Sequence, residues 1–246
     1  MPAHRDVVRR EFDRAAVPFA ERTRGRFDAL GVPEFSRVSR GETVVEVGAG
    51  TGNFLSLFDG IAGRLVAVDL SPAMLRTARA AHATMHLVCA DAVRLPLATA
   101  SASLVASAQV LHHVYRPLPV LAEMARVAGP AGRVLIVDQV ATERYEEAVV
   151  MTRLEKLRDP SHAASRPPSA LRTLIRAAGL RIVDEKLHQD EQRLSMWMWR
   201  GEFPRERIEA VKEFISRHGA DTGMGFERQG SDFIFTRRRA MFLARA

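Results

Sequence analysis

The sequence predicts an α/β fold, a mostly parallel sheet covered by helices on both faces. Three observations lead there. Apolar runs alternate with helical patterns between residues 43 and 140, as βαβ units require. The first run, Val44-Val45-Glu46-Val47, opens directly into Gly48-Ala49-Gly50-Thr51-Gly52, a turn almost without side chains. Three consecutive runs end on or near a carboxylate: Glu46, Asp69 and Asp91.

Thr43 to Val47 reads as the first strand, and Asn53 to Asp59 begins a helix. Arg64 to Asp69 is a second strand that ends on an acid. Ser71-Pro72 then starts a helix running to His82, with serine at the cap and proline at the first helical position. Met85 to Ala90 is a third strand and Leu104 to Gln109 a fourth. Pro117 to Val127 is helical, with Leu118, Leu121, Met124 and Ala125 on one face. Gly129-Pro130-Ala131-Gly132 is a turn, and Arg133 to Val140 a fifth strand. Beyond Ala141 the pattern changes. Thr142 to Arg158 is a charged helix, and Asp159 to Ser169 is loop. Ser169 to Ala178 is a helix closed by Gly179, and Leu180 to Leu187 a strand. Pro204 to His218 forms an amphipathic helix, and Ser231 to Ala246 holds one long strand or two passes.

The chain has 246 residues, 47% of them hydrophobic, enough for one sizeable core or one core and a small cap. Its start, MPAHRDVVRREF, is charged and does not read as a signal peptide. No apolar run approaches the roughly 18 residues that a membrane span needs. The expectation is a cytoplasmic protein without membrane insertion. Cys89 is the single cysteine, which excludes an internal disulfide and a cysteine-rich zinc site. No metal site is expected. The net charge is +7, but the basic residues are scattered, with Arg237-Arg238-Arg239 the one dense cluster. That is a weak signal for nucleic acid, which is not expected as a partner. No internal repeat or low-complexity segment occurs.

A glycine turn between strand and helix lets a ligand approach the backbone closely. A phosphate-binding loop needs a lysine that is missing here. A dinucleotide site needs GxGxxG, whose last position falls on Asn53. S-adenosylmethionine is the third ligand class that uses such a turn. Glu46 favours it: a carboxylate beside the loop repels a pyrophosphate and suits an ammonium and a sulfonium. Asp69, ending the second strand, can accept from both ribose hydroxyls. Asp91, ending the third, can accept from an adenine amino group. Each acid taken alone also suits a helix cap or a solvated turn.

VVEVGAGTGNF, VAVDLSPAML, CADAVRLPL, LVASAQVLHHV and EMARVAGPAGRVLIVD together resemble the class I S-adenosylmethionine-dependent methyltransferases. The resemblance is to the type 11 family, which includes the ubiquinone and menaquinone C-methyltransferases, and it covers residues 40 to 140. It implies a Rossmann-like, doubly wound, seven-stranded sheet with an antiparallel last strand and a helical cap. Residues 1–39 would be the N-terminal cap, 40–140 the cofactor-binding core, 141–230 substrate-side insertions and 231–246 the C-terminal strand of one domain. It implies that Gly48, Ala49, Gly50 and Gly52 line the methionine portion and that Asp69 binds the ribose. Leu70 and Met74 would flank the adenine, Asp91 and Ala92 border its edge, and Gln109 lie near the sulfonium. Met74 also sits at core spacing on its helix. Leu157-Arg158-Asp159-Pro160-Ser161-His162 resembles a stretch found in one branch of the family, without an assignable role.

Methyl transfer from a sulfonium is an in-line displacement, so the protein mainly aligns the reactants and excludes water. A base is needed only where the acceptor must lose a proton. His112 and His113 follow the fourth strand, and successive residues face different ways. The family usually has histidine at the second place, which favours His113 as base or aligning residue; a helix-buttressing role is the other reading. His162 is a second candidate and Tyr115 a third. Three segments are placed to roof an acceptor pocket: the N-terminal helix with Phe12 and Phe19, residues 144–168, and residues 193–203 with Trp197, Trp199 and Phe203. A small, planar, hydrophobic acceptor of methyl on oxygen, carbon or nitrogen is the first reading. An RNA or protein methyltransferase, a non-catalytic cofactor-binding protein and, more distantly, a nicotinamide oxidoreductase are alternatives. A homodimer stays open.

Overall fold

The computed structural model describes residues 3–198 and 203–245. Trp199, named above as a candidate pocket residue, lies outside them. The strands are β1 (Thr43–Val47), β2 (Arg64–Asp69), β3 (His86–Cys89), β4 (Leu104–Ala108), β5 (Arg133–Gln139), β6 (Arg181–Arg193), β7 (Glu227–Gln229) and β8 (Asp232–Arg245). They form one sheet in the order β3-β2-β1-β4-β5-β8-β6, with β7 paired to β8 as a hairpin. β1 to β5 pair in parallel. β8 runs antiparallel to both β5 and β6. The helices are α1 (His4–Arg22), α2 (Val32–Ser36), α3 (Pro72–Ala81), α4 (Pro117–Ala128), α5 (Tyr145–Arg158), α6 (Pro168–Ala177), α7 (Leu194–Trp197) and α8 (Arg205–His218). No described helix is long and apolar enough to cross a membrane.

The period of two along each strand sorts the core. Val45, Val47, Val66, Val68, Val105 and Ile136 pack with Leu121 and Met124 of α4 and Leu171 and Ile175 of α6. Val44, Leu65, Ala67, Leu104, Ala106 and Leu135 pack on the opposite face with Phe54, Phe58 and Leu75. Both faces are therefore dry, which is why the parallel strands read as nearly continuous apolar runs. A third cluster joins α5, α7 and α8 to Phe235 of β8.

Four expectations change. The helix expected from Asn53 to Asp59 is only a short 3-10 turn, Leu55–Phe58. The chain bends on either side of it, where Gly52 and Gly60 take left-handed φ, 82° and 73°. On α4 the buried stripe is Val120, Leu121, Met124, Val127 and Ala128, while Leu118 is exposed. β6 runs six residues past Leu187, to Arg193, because β8 pairs with it all the way from Leu187–Ala240 to Arg193–Ile234. Its polar sequence hides that extension. The last segment is one strand, not two.

The parallel strands reverse their order between β1 and β4. Crevices open at such a switch point, outside the carboxyl ends of the strands. The loops carrying Gly48, Leu70, Asp91 and Gln109 all leave the sheet at that edge.

Candidate functional site

A cavity of about 610 Å³ lies on this edge and is lined by residues from all four loops. Helix α1 forms its roof, with Val8, Phe12 and Phe19 over it, and the turn after α1 adds Arg26 and Phe27. Phe12 and Phe19 meet edge to face, ring centres 6.0 Å apart. Of the three segments placed as roof, α1 fills that role. Neither residues 144–168 nor the described part of 193–203 lines the cavity. Trp197 is in the third core cluster instead, 5.1 Å from the Phe235 ring and beneath the Arg158 guanidinium.

The turn after β1 folds tightly because its glycines adopt left-handed φ: 75° at Gly48, 53° at Gly50 and 82° at Gly52. The amides of Gly48 and Ala49 both donate to the Val68 carbonyl, at 2.8 and 3.0 Å. A Cβ on Gly48 would stand 2.3 Å from Cγ2 of Val110. The Gly50 amide donates to Oδ2 of Asp69 at 2.7 Å, and the Ser71 amide to Oδ1 at 2.8 Å. Asp69 is thus aimed by the loop itself. Burial raises its carboxyl above the ordinary value, against those amides.

Glu46 is 1% exposed, and its Oε2 has no partner among the described residues. Burial, then the charge of Asp69, pushes this carboxyl well up. An orphaned carboxylate oxygen inside a cavity wall is costly, and a cationic group is what would relieve it. At the opposite end Asp91 accepts from the Val93 amide at 3.1 Å and from Arg5 of α1 at 3.3 Å. Ala49, Leu70 and Ala92 line the cavity with them.

Three expected cofactor residues stand back from it. Met74 is fully buried under the loop in the core. Gly52 faces His82 and Met85, each 3.0 Å from where its Cβ would be. Gly50 contributes through its amide to Asp69 rather than as wall. Gln109 does line the cavity, in a left-handed conformation with φ 59°. That is unusual for a residue with a side chain, and here it carries the amide toward two arginines. Oε1 accepts from Arg26 and from Arg237, both at 3.0 Å.

Of the two adjacent histidines after β4, His113 lines the cavity, as does His4 of α1. The chain turns in a 3-10 step over Leu111–His113, and His112 points into the protein, where its Nδ1 meets Oδ1 of Asp138. Burial pushes Asp138 up to about 6. Nδ1 of His113 lies 3.0 Å from both the carbonyl and the hydroxyl of Ser161, and that hydroxyl donates to Oδ1 of Asp159 at 2.6 Å. Burial alone would raise Asp159, but the charges of His113 and Arg158 outweigh it and hold the carboxyl low. With Nδ1 engaged as donor, Nε2 is the nitrogen left for the cavity. His162 does not reach the cavity. It is 1% exposed, packed 5.4 Å from the His112 ring, with Nε2 on Ser165. Burial foremost lowers it to about 4. Its neighbours Asp159 and Ser161 in the same segment are the ones that contact and back His113. Tyr115 lines the rim and is exposed.

Arg26, Arg237 and the Ser161–Asp159 backing were not legible as site residues. The segment 157–162 stood out in sequence, but nothing local says it folds against a histidine 48 residues away. Among the described residues, no group of His, Cys, Asp or Glu is arranged to hold a metal.

The strand order, the inserted antiparallel β8 and the glycine turn after β1 define the class I S-adenosylmethionine-dependent methyltransferase fold. Residues 45–136 match the family model described as a methyltransferase domain. A candidate methyltransferase of Bacillus halodurans superposes with a TM-score of 0.82 at 22% identity, over 89% of this chain and 98% of its own. An O-methyltransferase of Penicillium expansum is 26% identical over 59% of this chain and 54% of its own. A malonyl-[acyl-carrier protein] O-methyltransferase of Marinomonas sp. is 35% identical over 40% of this chain and 38% of its own. The chain spans about half the length, or less, of these curated relatives.

Proposed function

We propose that this protein transfers a methyl group from S-adenosylmethionine to a small, planar, hydrophobic molecule. The observation that carries the reading is one continuous cavity, from the Glu46, Asp69 and Asp91 edge to His113, under the apolar roof of α1. The cofactor fits on two counts. Glu46 offers an unpartnered buried carboxylate oxygen, which suits an ammonium. The Gly48 loop presents bare backbone where a side chain has no room. On this reading Glu46 and the backbone of Gly48 and Ala49 hold the methionine portion. Asp69 holds the ribose, and Leu70, Asp91 and Ala92 hold the adenine.

Bound there, S-adenosylmethionine supplies a methyl group already activated by its positive sulfur. The chain's own part is alignment and exclusion of water. Phe12 and Phe19 cover the cavity for that purpose. His113 keeps the Nε2 lone pair free because its Nδ1–H donates to Ser161. A proton passed from an acidic acceptor to Nε2 leaves an imidazolium that Asp159 stabilises through Ser161, the logic of an oriented general base.

The test uses S-adenosylmethionine labelled in its methyl group, incubated with protein and three acceptor pools: small metabolites, RNA and denatured protein. Label in the metabolite pool, with S-adenosylhomocysteine formed in equal amount, is expected. His113→Ala should keep cofactor affinity and lower turnover about a hundredfold, within the range for general bases. Label appearing only in RNA or protein would sink the small-molecule reading. Cofactor binding with no label in any pool would make the protein a binder and not an enzyme.

A further inference from the structure

We propose that the methyl acceptor carries an oxyanion, a carboxylate or a phosphate, seated between Arg26 and Arg237 at the inner end of the cavity; this rests on the methyl-transfer reading above. Arg26 lines the cavity. Arg237, on β8, meets the cavity-lining Gln109 from behind. Both guanidinium groups donate to the one Oε1 of Gln109, at 3.0 Å each, and Arg237 also donates to Oε1 of Gln139 at 3.1 Å. Among the described residues neither arginine has a carboxylate within ion-pair distance. The acids nearby are taken: Glu155 pairs with Arg158 at 3.0 Å and Asp190 with Arg239 at 2.9 Å.

The amides point the same way. Accepting from the arginines turns Oε1 of Gln109 and Gln139 inward, and each Nε2 is then a buried donor with no acceptor. Two guanidinium groups share one neutral amide oxygen, and neither has a carboxylate in ion-pair contact. Buried like charges without a counter-charge are strongly unfavourable, and an oxyanion satisfies guanidinium forks better than any neutral group. Burial, then the charges of Arg237 and Arg239, pull Arg26 well below its ordinary value. That is the response of a cation lacking an anion.

The cofactor has a carboxylate of its own, beside its ammonium, and the topology separates the two. The cofactor edge runs over β1, β2 and β3. Arg237 stands on β8, three strands from β1 in the other direction, and its guanidinium extends to Gln109 after β4. Among the described residues the charged side chain that acts on Glu46 is Asp69, and no arginine does. The arginine pair therefore serves the side of the cavity beyond His113 and Gln109. Val8, Phe12, Phe19 and Phe27 line the same cavity as Arg26, so the fitting ligand is an organic acid with a hydrophobic body.

The test measures binding of benzoate, phenyl phosphate and neutral benzamide, by ligand-observed NMR, to the free protein and to protein saturated with S-adenosylhomocysteine. One or both anions should bind about tenfold or more tightly than benzamide, the worth of a charge-assisted hydrogen bond. The two anions compared with each other separate carboxylate from phosphate. Arg26→Gln and Arg237→Gln should each remove the preference. Gln109→Glu supplies the missing carboxylate. It should raise the melting temperature and abolish anion binding, an outcome that stays readable if Arg237→Gln does not fold. Equal binding of acid and amide would overturn the proposal. So would a preference that survives both arginine variants, or variants that weaken S-adenosylhomocysteine and leave the acid preference intact. Failure to bind S-adenosylhomocysteine at all is a separate result, and it would overturn the methyl-transfer reading with the acceptor assignment built on it.

Discussion

Glu46→Gln separates the cost of the buried carboxylate from its use. The side chain is 1% exposed, Oε2 has no partner, and burial and then Asp69 raise its pKa well above the ordinary value. Glutamine keeps the shape and removes the charge. In the free protein nothing favourable is lost, so stability should hold or rise; each kcal/mol gained would show as about 2–4 °C in a chain of this size. The sign with pH follows from the raised pKa. The folded protein binds a proton on Glu46 that the unfolded chain has lost above its ordinary carboxyl pKa. Stability from this group is full below that value and falls as pH rises through the folded pKa; Glu46→Gln should flatten that fall. Cofactor binding reverses the account, because an ammonium needs the ionised form. Losing that contact should cost about 1.5–3 kcal/mol, or roughly ten- to 150-fold in affinity for S-adenosylhomocysteine. The parent should release a proton on binding below its raised pKa, and the variant should not. Calorimetry in two buffers of different ionisation enthalpy reads both quantities. A variant that binds within about twofold of the parent, with the same buffer dependence, would place the ammonium elsewhere and refute this use of Glu46.

Two further expectations follow from the same packing. Gly48→Ala puts a Cβ 2.3 Å from Val110 Cγ2 at φ 75°. The left-handed backbone costs about 1–2 kcal/mol and the overpacking about 1–3 kcal/mol, read by thermal denaturation. Val110→Ala in the same chain should return the overpacking share, and simple additivity of the two losses would show that the clash relaxes without cost. His162, lowered to about 4 chiefly by burial, is held neutral in the fold. Its stability contribution is complete above its ordinary pKa of 6.5 and should be lost as pH falls from there toward 4, by about 3 kcal/mol. His162→Gln should remove that slope from a melting-temperature profile, and an unchanged slope would assign the acid sensitivity to other groups.

Local sequence determined the parallel half of this protein. Strand periodicity, the serine–proline start of α3 and the glycine turn are short-range signals, and each acts within one loop of where it is read. Ser71 caps α3 by accepting from the Met74 amide, as its position predicts. The acids Glu46, Asp69 and Asp91 could be placed on one edge because in βαβ units every strand ends on the same side. Only the tertiary structure decided what faces them. β8 enters between β5 and β6, and that long-range pairing delivers Arg237 to Gln109 and extends β6 through a polar stretch with no strand signal. Asp159 and Ser161 are close to His113 only because the loop before α6 returns over the turn after β4, where the amides of Ala163 and Ala164 donate to the His112 carbonyl. Hydrophobic period specifies which face of an element is buried, and it is silent on which distant element covers that face. The edge that carries Glu46, Asp69 and Asp91 is made of local turns, so sequence could place those residues together. The histidine backing and the arginine pair are made of contacts between remote segments, and burial in a common fold is what creates them.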